Sequence, residues 1–218
     1  MPPNFDRIAR PYRWLEYFSF GPYLNRCRFH YLDELKDSRY ALILGDGDGR
    51  FTARLLRENS LIKVIAVDSS AAMLDLLRNR VKKLGPAAVR RLQTEQTDAL
   101  DFSADVSSYD AVITHFFLDC LDEVEIAALV LRLRPSLVPG AVWIISEFRI
   151  PSQEPAASFA RLVVGGLYLA FRIVTGLRAR RLPRYGLILE AAGFELELHE
   201  FQPAGLLVSQ RWRFNGQT

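Results

Sequence analysis

The chain has 218 residues, half of them hydrophobic and 24% charged, which suits one globular domain with a full core and excludes a disordered or collagen-like protein. A formal charge of +3 and a pI near 9.0 are too modest to imply a nucleic-acid partner. The two cysteines, Cys27 and Cys120, lie too far apart for a metal-type spacing and too few for a disulfide framework, so a reducing cytoplasm is the expected location. The opening residues lack an apolar run with a cleavage site, and the longest uncharged stretch, Leu162 to Phe171, is too short to cross a bilayer.

In chain order, residues 5–37 mix aromatic and charged residues at helical spacing and predict one or two helices ahead of the main fold. Tyr40–Leu44 is a short apolar strand, followed at once by three alternate glycines and a helical pattern from Phe51 to Glu58. A second strand, Leu61–Val67, ends at Asp68, and a helix runs from Ser70 to Leu84 with Ser69 or Ser70 as its N-cap. Gly85-Pro86 breaks that helix, and Ala88–Gln93 is a weaker strand. Tyr109–His115 is the next strand and Asp122–Arg134 the next helix; a Pro139-Gly140 turn then leads into strand Ala141–Glu147. Phe194–Phe201 and Gly205–Phe214 close the chain as an antiparallel pair across Gln202-Pro203-Ala204. Strands alternating with helices predict an α/β fold with a mostly parallel sheet, an antiparallel C-terminal hairpin and helices on both faces. One domain is expected: an N-terminal helical lid (1–38), a cofactor-binding core (39–148), a helical insert over the substrate (149–184), and a C-terminal helix with the strand pair (185–218).

Open α/β sheets bind ligands at the carboxyl ends of their strands, where the chain order reverses. Here the first strand ends in Gly45-Asp46-Gly47-Asp48-Gly49, a turn whose bare backbone can bend sharply against a ligand. Asp68 follows the second strand, nineteen residues after Gly49, where a carboxylate can accept hydrogen bonds from both ribose hydroxyls. Turn and carboxylate together predict a nucleoside-containing cofactor. The sixth position of a dinucleotide fingerprint is Arg50 instead of glycine, and Asp46 and Asp48 put negative charge where a pyrophosphate would sit. That charge favours a zwitterionic sulfonium, S-adenosylmethionine, over NAD.

These residues resemble the class I S-adenosylmethionine-dependent methyltransferases, from about residue 40 onward. Ala41–Gly49 looks like that family's first motif, Val64–Asp68 like its second, Thr97–Leu100 like the adenine loop, Ser108–His115 like the fourth strand, and Leu137–Trp143 like the turn into the fifth. The resemblance implies a Rossmann-like seven-stranded sheet, with the cofactor held by Gly45, Asp46, Gly47, Gly49, Asp68, Ser69, Asp98, Ala99 and Thr114. Asp98 would accept from the adenine amino group, and the Ala99 backbone would meet the ring. The family usually carries an acid two positions before the first glycine; here that position is Ile43. The N-terminal Phe5–Tyr12 segment, with Ser19-Phe-Gly21, resembles the opening of the ubiquinone and menaquinone C-methyltransferases, although Arg13 stands where they carry aspartate. On that likeness Tyr12 lies over the cofactor; alternatively Tyr12, Trp14, Tyr17 and Phe18 simply pack a helix onto the sheet.

Methyl transfer is an in-line displacement that depends largely on alignment, and a base is needed only if the accepting atom must lose a proton. His115, at the end of the fourth strand, is either that base or a packed, hydrogen-bonded histidine. Asp119 either orients His115 or starts the next helix. Tyr12, His115, Asp119 and Tyr185 are the candidate substrate contacts, and no metal site is expected. Thr114-His-Phe-Phe-Leu-Asp119 lacks the N/D-P-P-Y/F element of enzymes that methylate base amines, so the expected acceptor is a small apolar or aromatic molecule, quinone-like compounds included, methylated on oxygen or carbon. Residues 159–184 are greasy and then basic; they read either as a lid touching an anionic membrane surface or as an amphipathic helix with arginines in water. Two other functions remain open: a non-catalytic binding or scaffolding protein, which Ile43 favours, and an NAD-dependent reductase, which Arg50 and the two turn aspartates oppose.

Overall fold

A computed structural model describes residues 22–216, apart from 105–107, 152, 154–156, 159, 163–164, 167–181 and 203–204. Its centre is a seven-stranded sheet in the order β3-β2-β1-β4-β5-β7-β6. The strands are β1 (Tyr40–Leu44), β2 (Lys63–Asp68), β3 (Leu92–Gln96), β4 (Tyr109–His115), β5 (Leu137–Phe148), β6 (Phe194–Phe201) and β7 (Leu207–Phe214). β3, β2, β1, β4 and β5 pair in parallel, whereas β7 is antiparallel to both β5 and β6. The chain order reverses between β1 and β4, which makes their carboxyl ends the place for a ligand.

Helices flank the sheet, among them α1 (Pro22–Phe29), α2 (Arg50–Glu58), α3 (Ala71–Lys82), the single turn α4 (Pro86–Val89), α5 (Glu123–Leu133) and α6 (Tyr185–Ala191). Because parallel strands are buried on both faces, β1 reads as an unbroken apolar run, and its alternate residues feed two cores. Leu42 and Leu44 join Val112, Trp143, Ile145 and Trp212 under α5 and α6. Ala41 and Ile43 join Phe51, Leu55, Val64, Leu77, Ile113 and Ile144 on the side of α2 and α3. Asp122 caps α5, its carboxylate accepting from the amides of Val124 and Glu125 while the Glu125 side chain accepts from the Asp122 amide.

Two predicted elements differ from those observed. The segment expected as strand Ala88–Gln93 begins instead with α4, because Pro86 starts a helical turn whose Ala88 packs into the core, and β3 follows at Leu92. β5 starts at Leu137, before the expected Pro139-Gly140 turn. The β4–β5 register shifts between Tyr109 and Ala111, and a proline is tolerated where the ladder is irregular.

Candidate active site

β1 and β2 run side by side with Leu44 opposite Val67, and the Gly45 amide donates to the Val67 carbonyl at 2.9 Å. The turn therefore leaves β1 immediately beside the end of β2, where Asp68 stands partly exposed. Gly45, Gly47 and Gly49 have φ of 65°, 63° and 74°, the left-handed region that other residues enter only at a cost. A Cβ on Gly45 would lie 2.4 Å from Phe117 Cδ2, and one on Gly49 would lie 2.6 Å from Leu77 Cα. The Phe117 ring is thus one wall of the turn, brought there by Phe116, whose φ of 55° is strained for a residue with a side chain.

The two turn aspartates have different duties. Asp46 is buried; its Oδ2 accepts the Thr52 amide at 2.8 Å, and its Oδ1 has no hydrogen-bond partner among the described residues. Asp46 thus takes up one of the free N–H groups at the start of α2, whose N-cap, Gly49, has no side chain to do so. Burial raises its pKa. Asp48 sits between Arg50 (Nε to Oδ1, 2.9 Å) and Arg80 (NH2 to Oδ2, 2.6 Å). Burial works against its charge, but those guanidiniums hold its pKa below the usual carboxylate range. The expectation that both charges would face a pyrophosphate therefore retains only Asp46: Asp48 is neutralised by its arginines.

The Asp68 Oδ1 accepts the Ser70 amide at 2.9 Å, and Ser70 Oγ in turn caps α3 by accepting the Met73 amide. Ser69 between them is exposed. Beyond β3, Asp98 accepts the Leu100 amide at 3.0 Å, while the Ala99 side chain joins the core and leaves its backbone for contact. Thr114 is fully buried, and its hydroxyl accepts from the Trp143 indole at 3.0 Å, which makes its side chain a core contact. Ile43, where the family carries an acid, packs in the apolar layer beneath α2.

His115 is buried against the edge of Phe51, with ring centroids 4.4 Å apart. Its Nδ1 lies 2.9 Å from Ser146 Oγ, which itself donates to the Cys27 carbonyl at 3.1 Å. With the hydroxyl proton committed to that carbonyl, Ser146 accepts from His115 Nδ1–H, and Nε2 is left as a buried acceptor without a partner among the described residues. Burial, reinforced by the nearby Arg28 charge, pushes the imidazole pKa well below 6.5, so the ring is neutral. Arg28, delivered by α1, is itself buried and lies 5.7 Å from the Phe116 ring centroid; its charge also acts on Asp46 and Asp48.

On the opposite face of β5, Glu147 is buried and unremarked by the sequence reading. Its Oε1 accepts the Phe117 and Leu118 amides at 3.1 and 2.8 Å, and its Oε2 has no hydrogen-bond partner among the described residues. Burial, followed by the Asp119 charge, drives its pKa well up. Asp119, enclosed by protein yet partly accessible, lies in the single 3-10 turn Leu118–Cys120; burial raises it to about 6. The Tyr185 hydroxyl donates to Gln210 Oε1 at 2.9 Å, and burial together with Glu147, Cys27 and Asp119 raises its pKa. The structure therefore groups Asp119 and Tyr185 with Glu147, apart from His115 on the other side of the strand. The charges of Asp119, Glu147 and Asp68 all act on Cys120, which links this cluster to the end of β2. The signal for Glu147 in the sequence is a lone acid ending the apolar run Ala-Val-Trp-Ile-Ile-Ser-Glu at the strand's carboxyl end. Tyr12 lies outside the described residues, as do most of 159–184.

The residues present fit S-adenosylmethionine: a turn with three left-handed glycines, a buried carboxylate oxygen at Asp46 that meets no donor among the described residues, and an accessible carboxylate at Asp68. Residues 42–143 match the family model described as a methyltransferase domain. No curated protein sequence matches the chain. Among solved structures it is similar to mitomycin 7-O-methyltransferase (TM-score 0.69, 14% identity, 97% of this chain and 60% of that one). It is also similar to a candidate O-methyltransferase from Nostoc punctiforme PCC 73102 (TM-score 0.73, 17% identity, 97% and 61%). A third is the S-adenosylmethionine-dependent methyltransferase SibL in its apo form (TM-score 0.70, 15% identity, 98% and 62%). The chain spans about three fifths of the length of these proteins. The chain thus shares the fold of these methyltransferases and carries, over residues 42–143, a segment similar to a methyltransferase domain.

Proposed function

We propose that the protein transfers the methyl group of S-adenosylmethionine to an oxygen or carbon of a small apolar or aromatic acceptor, quinone-like compounds included. The observation that carries this reading is the adjacency of the glycine turn and Asp68, joined through the Gly45–Val67 hydrogen bond at 2.9 Å. In this reading Gly45, Gly47 and Gly49 let the backbone meet the cofactor, and Asp46 Oδ1 receives its ammonium group. Asp68 grips the ribose, Ser69 flanks it, and Asp98 with the Ala99 backbone holds the adenine. Chemically, a methyl sulfonium supplies an electrophilic carbon, so the protein's work is to align an acceptor with it and exclude water. An aromatic oxygen acceptor is supported by the likeness to mitomycin 7-O-methyltransferase; the chain's N-terminal resemblance supports a quinone-like one.

Isothermal titration with S-adenosylmethionine and with S-adenosylhomocysteine tests the reading. Both are expected to bind, and Asp68→Ala is expected to weaken binding by about 2–3 kcal/mol, the scale of hydrogen bonds to a charged group. Absence of binding at millimolar ligand, or an unchanged affinity in the variant, overturns it.

A further inference from the structure

We propose that Asp48 is a positioning residue for the cofactor: gripped by Arg80 and Arg50, it fixes the glycine turn in the shape that receives the amino-acid end of S-adenosylmethionine. This rests on the methyl-transfer reading above and adds to it residues that act through the turn.

Gly45, Gly47 and Gly49 all occupy the left-handed region, at φ of 65°, 63° and 74°. Glycine has the widest backbone freedom of any residue, so a turn built on three of them does not hold its own shape. The two residues between the glycines supply the constraint. Asp46 is tied to α2 through the Thr52 amide at 2.8 Å. Asp48 is tied by more bonds, and they reach it from several elements. Arg80, on α3, donates from Nε to the Asp48 carbonyl at 2.9 Å and from Nη2 to its Oδ2 at 2.6 Å. One planar guanidinium thus holds the side chain and a peptide group of the same residue, and that peptide joins Asp48 to Gly49. Arg50, the first residue of α2, donates from Nε to Oδ1 at 2.9 Å and from Nη2 to Oδ2 at 3.2 Å, a two-pronged pair. Asn25 Oδ1 accepts from Arg50 Nη1 at 3.1 Å and from Arg28 Nη1 at 3.3 Å, which joins α1 to the same cluster.

The placement of these bonds is what gives Asp48 a role in binding. α2 and α3 already share a buried core through Phe51, Leu55 and Leu77. The bonds to Asp48 fall instead on the turn, and the main-chain group that Arg80 takes lies inside it. Leu77, whose Cα lies 2.6 Å from where a Gly49 Cβ would stand, precedes Arg80 by three residues and shares its face of α3. α3 therefore sets the turn twice, by contact at Gly49 and by hydrogen bonds at Asp48. The flanking guanidiniums keep Asp48 ionised, so both pairs are charge-assisted through the neutral range. In the reading above, the turn meets the methionine end of the cofactor, whereas Asp68 and Asp98 hold the nucleoside. Loosening Asp48 is then felt at the amino acid and not at the adenosine.

The test is isothermal titration of the full chain with two ligands. One is S-adenosylhomocysteine; the other is 5′-methylthioadenosine, which keeps the nucleoside and the thioether but lacks the amino acid. Asp48→Ala is expected to weaken S-adenosylhomocysteine at least about tenfold, and 5′-methylthioadenosine less than about twofold. Arg80→Lys keeps the charge but loses the planar fork, and is expected to show the same split at about threefold. Should Asp48→Ala fail to fold, the isosteric Asp48→Asn takes its place in each comparison. Should 5′-methylthioadenosine bind too weakly to measure, the double variant Asp48→Ala/Arg80→Lys decides. It is expected to bind S-adenosylhomocysteine no more weakly than Asp48→Ala alone, because the two residues act as one unit. Equal losses for both ligands, an unchanged S-adenosylhomocysteine affinity in Asp48→Ala, or losses that multiply in the double variant overturn the positioning role. Failure of wild-type protein to bind S-adenosylhomocysteine overturns the methyl-transfer reading instead, so the two outcomes are distinct.

Discussion

Gly45 and Gly49 share a backbone conformation but not a neighbourhood. At Gly45 an added Cβ meets Phe117 Cδ2, the edge of a partly exposed ring that can swing aside. At Gly49 it meets Leu77 Cα, the backbone of α3. Gly49→Ala is therefore expected to cost at least about 2 kcal/mol of stability in urea unfolding, from left-handed strain plus helix displacement. Gly45→Ala should cost about 1 kcal/mol, mostly the strain alone, while weakening cofactor binding more than Gly49→Ala does. The reverse ranking in stability would mean that Phe117 is as rigid as a helix backbone. The places of the glycines, Asp68 and Asp98 just after strand ends were legible in the sequence, because an apolar run followed by a break reveals a strand end. The separate duties of Asp46 and Asp48 were not, since Arg80 reaches Asp48 from thirty-two residues away.

Between elements, the connections that shape the site are local caps and one long-range latch. The capping box on Asp122 fixes where α5 begins, two residues after the turn that carries Asp119. Asp122→Ala is expected to lose about 1 kcal/mol of stability, measured by denaturant unfolding. α1 is latched to the sheet at Cys27, whose carbonyl accepts from Ser146 at 3.1 Å and Ser209 at 2.8 Å and whose thiol donates to the Val208 carbonyl at 3.4 Å. The caps were legible in the sequence, as Ser70 illustrates, because a cap depends on neighbours three residues away. The latch joins residues 119 and 182 positions apart and has no local signature. The misread start of β5 has the same origin: Pro139-Gly140 reads as a turn locally, and only the pairing of Leu137 with Tyr109, ahead of the register shift, starts the strand before it.

Across the whole molecule, the buried ionisable groups pull stability in opposite directions with pH. His115 has a folded pKa below its ordinary 6.5, so the unfolded chain binds a proton that the folded one does not, and stability falls as pH drops below about 6.5. Glu147 is shifted upward from 4.5, so between that value and its raised one the folded protein holds a proton that the unfolded chain has released. Raising the pH through that window lowers stability. Glu147→Gln removes the second penalty while keeping an acceptor for the Phe117 and Leu118 amides. Its melting temperature is expected to exceed that of the wild type at pH 8, with the difference vanishing at pH 4. A variant no more stable at pH 8 would mean that Glu147 is not held neutral by the fold.

The sequence by itself determined the alternation of strands and helices, the bent glycine turn and the carboxylate after the second strand, because apolar periodicity and glycine punctuation are written in neighbouring residues. Only the tertiary structure decided which side of the sheet each rim residue serves. It put His115 with Phe51 and Ser146 on one face, Thr114 into the core beneath Trp143, and Glu147 beside Asp119 and Tyr185 on the other. The reason is that consecutive strand residues point to opposite faces, and what lies across each face is supplied by segments far away in the chain.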